Sequence, residues 1–291
     1  IPERFGDIRN YEYVASTIKE FNPEAIIHLA AQPLVLESYR NPIWTFETNV
    51  LGTANVLNAA REIKNLSNIV VATTDKVYKN DNSGKKFVEN DPLEGIDPYS
   101  ASKVAAEAVV KSWRNIYSTE STTKLTVARA GNVIGGGDLS ENRLIPDCVR
   151  AHIEMSEAKI RFPNSIRPWQ HVLEPLIGYV FCLFGGTEEA YNFGPNENLD
   201  MNVLQVVELL KSYIPFNATY ANKEPNFYES LYLSLDSKLA KNSLGWSPIY
   251  SQSQSIALTG QWWQEALESQ DYLAPTLKQI KNFVADRLPN V

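Results

Sequence analysis

Cysteine is nearly absent from this chain, and its scarcity excludes two structural solutions at once. The two that occur, Cys148 and Cys182, cannot build a disulfide framework or a thiolate zinc site. Both lie in apolar contexts, PDCVRA and YVFCLF, which predicts buried, reduced thiols and a cytoplasmic protein. No metal site is expected. Long apolar runs are lacking too: none approaches the ~18 residues of a membrane span, and no signal-peptide pattern opens the sequence. No membrane partner is therefore expected. Basic runs are also missing. With 27 basic against 34 acidic residues and a net charge of −7, the balance argues against nucleic acid as a partner, although a local pocket can still be positive. Internal repeats and low-complexity linkers are absent. The remaining composition, 44% hydrophobic and 21% charged over 291 residues, is that of a globular protein with one large domain or two closely associated ones.

The first half alternates strand and helix patterns. Residues 12–21 read as a helix stopped by Asn22-Pro23, and the apolar run 25–30 as a strand buried on both faces. Residues 42–63 carry Phe46, Val50, Ala54, Leu57 and Ala60 at helical spacing. Next come a strand at 69–73, a polar loop at 79–95, a helix at 98–117 and a third buried strand at 125–130. This rhythm predicts an α/β fold built on a doubly wound parallel sheet. The second half is less regular, with a Gly-Gly-Gly turn at 135–137 and helices expected over 144–155, 174–184, 202–213, 253–269 and 274–284. It predicts a smaller C-terminal α/β domain packed on the first, with a ligand between them.

Three features carry chemistry. In Tyr99-Ser-Ala-Ser-Lys103 the i,i+4 spacing puts phenol and ammonium on one helix face. A nearby ammonium lowers a phenol's pKa, so such a Tyr can take a proton from a sugar hydroxyl. The same pattern also describes a surface Lys beside a half-buried Tyr. Thr73-Thr74-Asp75-Lys76-Val77-Tyr78 directly follows a strand, and residues just past the carboxyl end of a parallel strand border the ligand crevice. A solvated turn is the plainer reading of that segment. The third feature is their adjacency: the two motifs belong to neighbouring strand–helix units, so both can border one cleft.

The stretch HLAAQPLVLESYRNPIWTFETNVLGTANVL, followed by TTDKVY, DPYSASK, ARAGNVIGGGD, NRLIPD and RPWQHVLEP, resembles the CDP-glucose 4,6-dehydratases, which belong to the extended short-chain dehydrogenases. The likeness runs from about Gly6 to Trp246. Any one motif is shared by many epimerases and dehydratases. Thr-Asp-Lys, Gly-Gly-Gly-Asp and Arg-Pro-Trp-Gln-His together are much more specific. In dTDP-glucose dehydratases Thr-Asp-Glu stands where Thr74-Asp75-Lys76 stands here, and simple epimerases lack the acid–base pair.

The resemblance implies a Rossmann-like fold, NAD held tightly through each turnover, a nucleotide-sugar substrate and a homodimer formed through the helices near 42–63 and 98–117. It implies a dinucleotide-binding domain over 1–165, with 173–188 packing back on it, and a mainly nucleotide-sugar-binding domain over 166–291. The chemistry implied is carbohydrate-biosynthetic, as in lipopolysaccharide synthesis: oxidation at C4, loss of water across C5–C6, and hydride return to C6. Tyr99 would be the base at the C4 hydroxyl, Thr74 the holder of that oxygen, Asp75 the acid at the C6 hydroxyl, and Lys76 the base at C5. Lys76 can serve so only where burial or a neighbouring cation lowers its pKa. Asp7 and Ile8 would meet the adenine end, and Leu29, Ala30, Ala31, Asn49, Thr73 and Arg129 the rest of the dinucleotide, with Tyr99 and Lys103 at the nicotinamide ribose. Gln32, Asn132, Arg143, Arg167 and His171 would face the substrate, Arg167 gripping the pyrophosphate. From the residues alone, Asp7 also reads as a helix-capping acid, Asn49 as a helix-surface amide and His171 as a core histidine. His28, ending a buried strand, reads as structural.

Departures from the family pattern fall at Leu36, Leu139, Asn142 and Tyr228-Glu229-Ser230, regions expected to face substrate. The family also begins with a strand, a Gly-x-x-Gly-x-x-Gly turn that holds the pyrophosphate, a helix and a second strand. Nothing like it precedes Gly6, and Ile1-Pro2-Glu3-Arg4 reads like the middle of a domain. About 60 preceding residues are expected from what two strand–helix units need. The sheet is accordingly expected to be N-terminally incomplete, and the polypeptide as given to bind NAD poorly. Two other readings stand beside the first: another extended short-chain dehydrogenase, either an epimerase or a dehydratase for a different nucleotide, and a non-catalytic dinucleotide-binding protein.

Overall fold

The computed structural model describes residues 2–195, 201–221 and 230–287. Helix α1 (Tyr11–Phe21) starts where the Asn10 side chain accepts from the Tyr13 amide and stops at left-handed Asn22, before Pro23. Asn10, not Asp7, is therefore the helix cap. Strand β1 (Ala25–His28) follows, then α2 (Val35–Arg40), α3 (Pro42–Phe46), a π turn (Glu47–Leu51) and α4 (Gly52–Ala60). The helix expected over 42–63 is thus one course with a wide turn inside it. A short helix precedes it, separated by the non-helical backbone of Asn41. Such π turns are sequence-silent and concentrate at functional sites. This one contains buried Asn49, whose amide bonds the Gln32 backbone and the Ser102 hydroxyl.

Strand β2 (Asn68–Ala72) leads into a 3-10 turn (Asp75–Val77), and α5 (Pro98–Glu120) leads into β3 (Lys124–Ala130). Pro98 at the first helical position and a reciprocal Asp97–Ser100 capping box fix where α5 begins. That start sets the rotation at which Tyr99 and Lys103 emerge. Beyond lie β4 (Val133–Ile134), α6 (Leu144–Ile153), β5 (Glu157–Ile160), β6 (Ile166–Arg167), β7 (Gln170–His171), α7 (Leu173–Gly185) and β8 (Ala190–Phe193). The remaining elements are β9 (Met201–Asn202), α8 (Val203–Lys211), β10 (Asn217–Tyr220), α9 (Lys238–Leu244), α10 (Gln252–Ser269) and α11 (Leu273–Arg287).

Strands β1, β2, β3 and β8 form a parallel sheet in that order. Successive side chains of a strand face opposite ways, and both faces are covered. Ile69, Val71, Leu125 and Val127 pack on Leu57 and Ala60 of α4 and on Val110 and Tyr117 of α5. Val70, Ala128, Tyr191 and Phe193 pack on the other side against Tyr179 and Cys182 of α7 and Ala240 of α9, with Trp246. The fold is therefore doubly wound α/β. Leu57 is fully buried, and truncating such a side chain to Ala costs about 2–5 kcal/mol.

A third core joins Ile145, Cys148 and Val149 of α6, Ile160 of β5, Val206 and Leu210 of α8, and Trp262 and Trp263 of α10. Residues 144–160 thus share a core with the C-terminal helices, whereas α7 and α9 pack on the sheet. Cys148 and Cys182 are both free and buried. Among the described residues no helix is long and apolar enough to cross a membrane.

Candidate active site

The site forms at the carboxyl ends of β2 and β3. The Thr73 amide donates to the Ala128 carbonyl at 2.8 Å, so the chain leaves β2 still tied to β3. Thr74, extended at φ −150 and ψ 156, then caps the 3-10 turn by accepting from the Lys76 amide at 3.3 Å. Its hydroxyl also donates to the Asp75 carboxylate at 3.1 Å. Gly131, just past β3, makes room for that carboxylate: a Cβ there would lie 2.5 Å from Asp75 Oδ2 and 2.4 Å from Pro168. Thr74 and Asp75 are buried and Lys76 is half-buried.

Tyr99 and Lys103 emerge from the first turns of α5 and are both buried. Tyr99 and Thr74 both line the same cavity. The expected depression of the phenol does not occur. Burial pushes Tyr99 up to about 12; Thr74 and Arg143 oppose the rise, and Asp75 and Asp97 add to it. Lys103 turns its ammonium to the Ala72 carbonyl at 3.2 Å. Burial pushes it down to about 8 against the opposing charge of Glu107.

A cavity of about 420 Å³ opens beside this group, within the usual range for small-molecule sites. Thr73, Thr74, Asp75, Lys76 and Tyr99 line it, as do Asn132, Arg143 and Arg167. The Arg167 guanidinium donates to the Ile166 and Ser230 carbonyls at 2.7 and 2.5 Å. Lys159 and Arg161 of the β5 region line the wall as well; the sequence reading missed both, because nothing local marks a short strand as a cavity wall. Leu36 and Asn142 line it too, and Asn142 adopts a left-handed backbone with φ 62. Leu139 is exposed and is not part of the lining. Tyr228 and Glu229 lie outside the described residues.

Several expected site residues do not reach this cavity. His171 is buried, with Nε2 3.2 Å from Gln279 Oε1 and Nδ1 accepting from the Leu173 amide. Burial pushes its pKa down to about 4, the setting that the core-histidine reading expects. Gln32 is buried as well, bonded to Thr45 and to the Leu34 backbone. Asn49 is no surface amide, and Arg129 is locked to the Glu107 carboxylate at 2.9 and 2.6 Å. His28, bonded to Thr53 at 3.1 Å, is structural. Leu29 and Ala30 are exposed at the end of β1, with Ala31 half-buried. The Asp7 carboxylate is exposed and held by Arg9, whose hydrogen bond lowers its pKa, while Ile8 packs on Gly52.

Residues 4–259 match the GDP-mannose 4,6 dehydratase family. The chain is 37% identical to the CDP-glucose 4,6-dehydratase of Salmonella typhimurium, over 96% of this chain and 81% of that protein. The crystal structure of a dTDP-glucose 4,6-dehydratase from Bacillus anthracis in complex with NAD superposes with a TM-score of 0.76 at 25% identity, covering 90% of this chain and 79% of that one. A UDP-glucose 4-epimerase from Thermotoga maritima shares the fold, with a TM-score of 0.78 at 22% identity over 90% and 84% of the two chains.

Proposed function

Because the chain belongs to the GDP-mannose 4,6-dehydratase family, we propose that it converts CDP-glucose to CDP-4-keto-6-deoxyglucose with NAD as resident cofactor. The observation that carries this reading is that Thr74, whose hydroxyl donates to the Asp75 carboxylate, lines the same cavity as the Tyr99 phenol. Base, oxygen holder and acid thereby face one cavity. The CDP-linked relative at 37% identity favours cytidine over the other nucleotides.

The donor set fits a dinucleotide. A buried ammonium and a buried phenol stand on one face of α5, and the neighbouring end of β1 is open at Leu29 and Ala30. Lys103 and Tyr99 would hold the nicotinamide ribose, with Asp7 at the adenine end. Bound NAD supplies a reversible hydride acceptor. Tyr99 takes the proton of the C4 hydroxyl while Thr74 holds its oxygen. Positive charge near the phenol activates it, and Arg143 already acts in that direction. Asp75 gives a proton to the departing C6 hydroxyl, and Lys76 removes the proton at C5. Asn132, Arg143 and Arg167 orient the diphosphate; for Arg167 this means exchanging backbone carbonyls for phosphate oxygens.

This proposal includes the division of labour along the chain: residues 1–165 with 173–188 for the dinucleotide, and 166–291 mainly for the nucleotide sugar. Residues 144–160 share a core with α8 and α10, which supports close packing of the two units on each other. It also includes a cytoplasmic homodimer. Two free, buried thiols support the reducing compartment, and Ile43, Trp44 and Leu51, exposed on the helical course beside α5, support the dimer.

The test is incubation with CDP-glucose, dTDP-glucose, UDP-glucose and GDP-mannose in parallel, reading the 4-keto-6-deoxy product by alkaline absorbance and loss of one water by mass. Selective turnover of CDP-glucose is expected. Turnover of another sugar alone would overturn the cytidine assignment, and no loss of water from any of them would overturn the dehydratase reading.

A further inference from the structure

Behind the cavity lies a buried ion pair with a particular set of attachments. Arg129, on β3, donates to both carboxylate oxygens of Glu107, on α5, at 2.9 and 2.6 Å. Both side chains are more than nine-tenths buried. Glu107 Oε1 also accepts from the Thr73 hydroxyl at 2.8 Å. The other side of the guanidinium donates to the Tyr78 phenol at 2.8 Å and to the Glu89 carbonyl at 2.8 Å. It also lies over the Tyr78 ring, 5.0 Å from its centroid. The Tyr78 hydroxyl in turn donates to Asn192 of β8 at 2.6 Å.

Thr73 and Tyr78 are the residues that bracket Thr74-Asp75-Lys76 and Val77. We infer that the Glu107–Arg129 pair is a positioning device that moors the acid–base turn at both ends, one end through Thr73 and the other through Tyr78. The turn's own two backbone bonds, Val77 to Thr74 and Tyr78 to Asp75, are both 3.4 Å long, while the Glu94 amide ties the Val77 carbonyl at 2.8 Å. Long internal bonds leave the placement of such a turn to its attachments, and misplacement by about 1 Å costs on the order of a hundredfold in rate. The moorings are charge-assisted or in a water-excluded site, and such bonds are the stronger kind. Neither Glu107 nor Arg129 lines the cavity, so each acts through the turn and not on substrate.

This inference rests on the dehydratase reading for its kinetic consequence, but not for its structural one. Removing Glu107 leaves a buried guanidinium unpaired and risks unfolding, so the decisive variants leave the pair intact. Tyr78→Phe cuts only the second mooring, and Thr73→Val only the first. Each is made in the full chain, with amide hydrogen exchange of residues 74–78 followed beside kcat and KM for the nucleotide sugar. The expected result for Tyr78→Phe is exchange at 75–78 faster by about tenfold or more, with kcat down about ten- to a hundredfold and KM within about threefold. Thr73→Val should loosen Thr74 and Asp75 in the same way, and Thr73→Ser, which restores the hydroxyl, should recover both readouts. Faster exchange with unchanged kcat overturns the positioning role, as does a fall in kcat with no change in exchange. If the wild type dehydrates none of the nucleotide sugars, the reading of function fails, and exchange alone decides whether the pair holds the turn.

Discussion

Thr74, past the end of β2, and Tyr99, in the first turn of α5, are both buried and line the same cavity, and Thr74 opposes the rise in the phenol's pKa. Two chain segments far apart in sequence thereby present one continuous polar surface to the cavity. Removing the phenolic oxygen with Tyr99→Phe should lower the rate of product formation by about 10²–10⁴-fold, the usual worth of a positioned acid–base group. Thermal unfolding should change little, because the ring keeps its packing. A variant retaining activity within about tenfold of wild type would remove Tyr99 from the role of base.

Gly131→Ala should inactivate without unfolding. The added methyl would lie 2.5 Å from Asp75 Oδ2 and 2.4 Å from Pro168, and the turn bearing Asp75 is easier to displace than the β3 backbone. We expect kcat to fall at least tenfold, in line with about 1 Å of misplacement, while the unfolding midpoint drops by only a few degrees. A large loss of stability with intact kcat in the folded fraction would contradict this.

Asp75→Asn preserves size and a hydrogen bond to Thr74 but removes the acid. Loss of water should slow by about 10²–10⁴-fold, with the substrate dissociation constant within a few-fold of wild type by calorimetry. Equal dehydration rates for the two proteins would assign the proton to another group.

His28 and His171 give a stability prediction. Burial depresses both to about 4, with Lys103 adding to the effect at His28 and Gln279 opposing it at His171. The ordinary value is 6.5. Between these values the unfolded chain binds protons that the folded one refuses. The stability that depends on neutral rings is therefore complete above pH 6.5 and lost as pH falls through about 4. Each ring should account for on the order of 2 kcal/mol between pH 7 and pH 5. Urea unfolding at the two pH values checks this, with His171→Gln expected to flatten the dependence. An unchanged slope would show that the ring is not buried neutral.

The homodimer predicts that Trp44→Glu, beside exposed Ile43, halves the mass measured by light scattering. A monomeric wild type would remove the premise.

Much of the fold was legible because it is written in short-range patterns. The unbroken apolar run Ile69-Val70-Val71, the Asn-Pro stop after α1 and the four-residue spacing of Tyr99 and Lys103 are properties of neighbours, and neighbours are what a sequence lists in order. Glu107 lies one turn beyond Lys103 on the same helix, yet nothing in the sequence singled it out. Its partner Arg129 is 22 residues away, and no local pattern links the two. Placed by the resemblance on the dinucleotide, Arg129 instead spends its donors on Glu107, Tyr78 and Glu89.

The sequence by itself determined the α/β rhythm, the strand end from which Asp75 projects and the helix face that carries Tyr99 and Lys103. Tertiary structure decided what those groups are chemically. Water exclusion at the packed strand ends raised the phenol that a nearby ammonium was expected to lower. The closing of β7 onto α10 and α11 withdrew His171 to Gln279, and the π turn brought Asn49 under the Gln32 backbone. Periodicity is fixed by residues three or four apart, whereas desolvation and hydrogen-bond partners depend on whatever the fold brings near, from any distance along the chain.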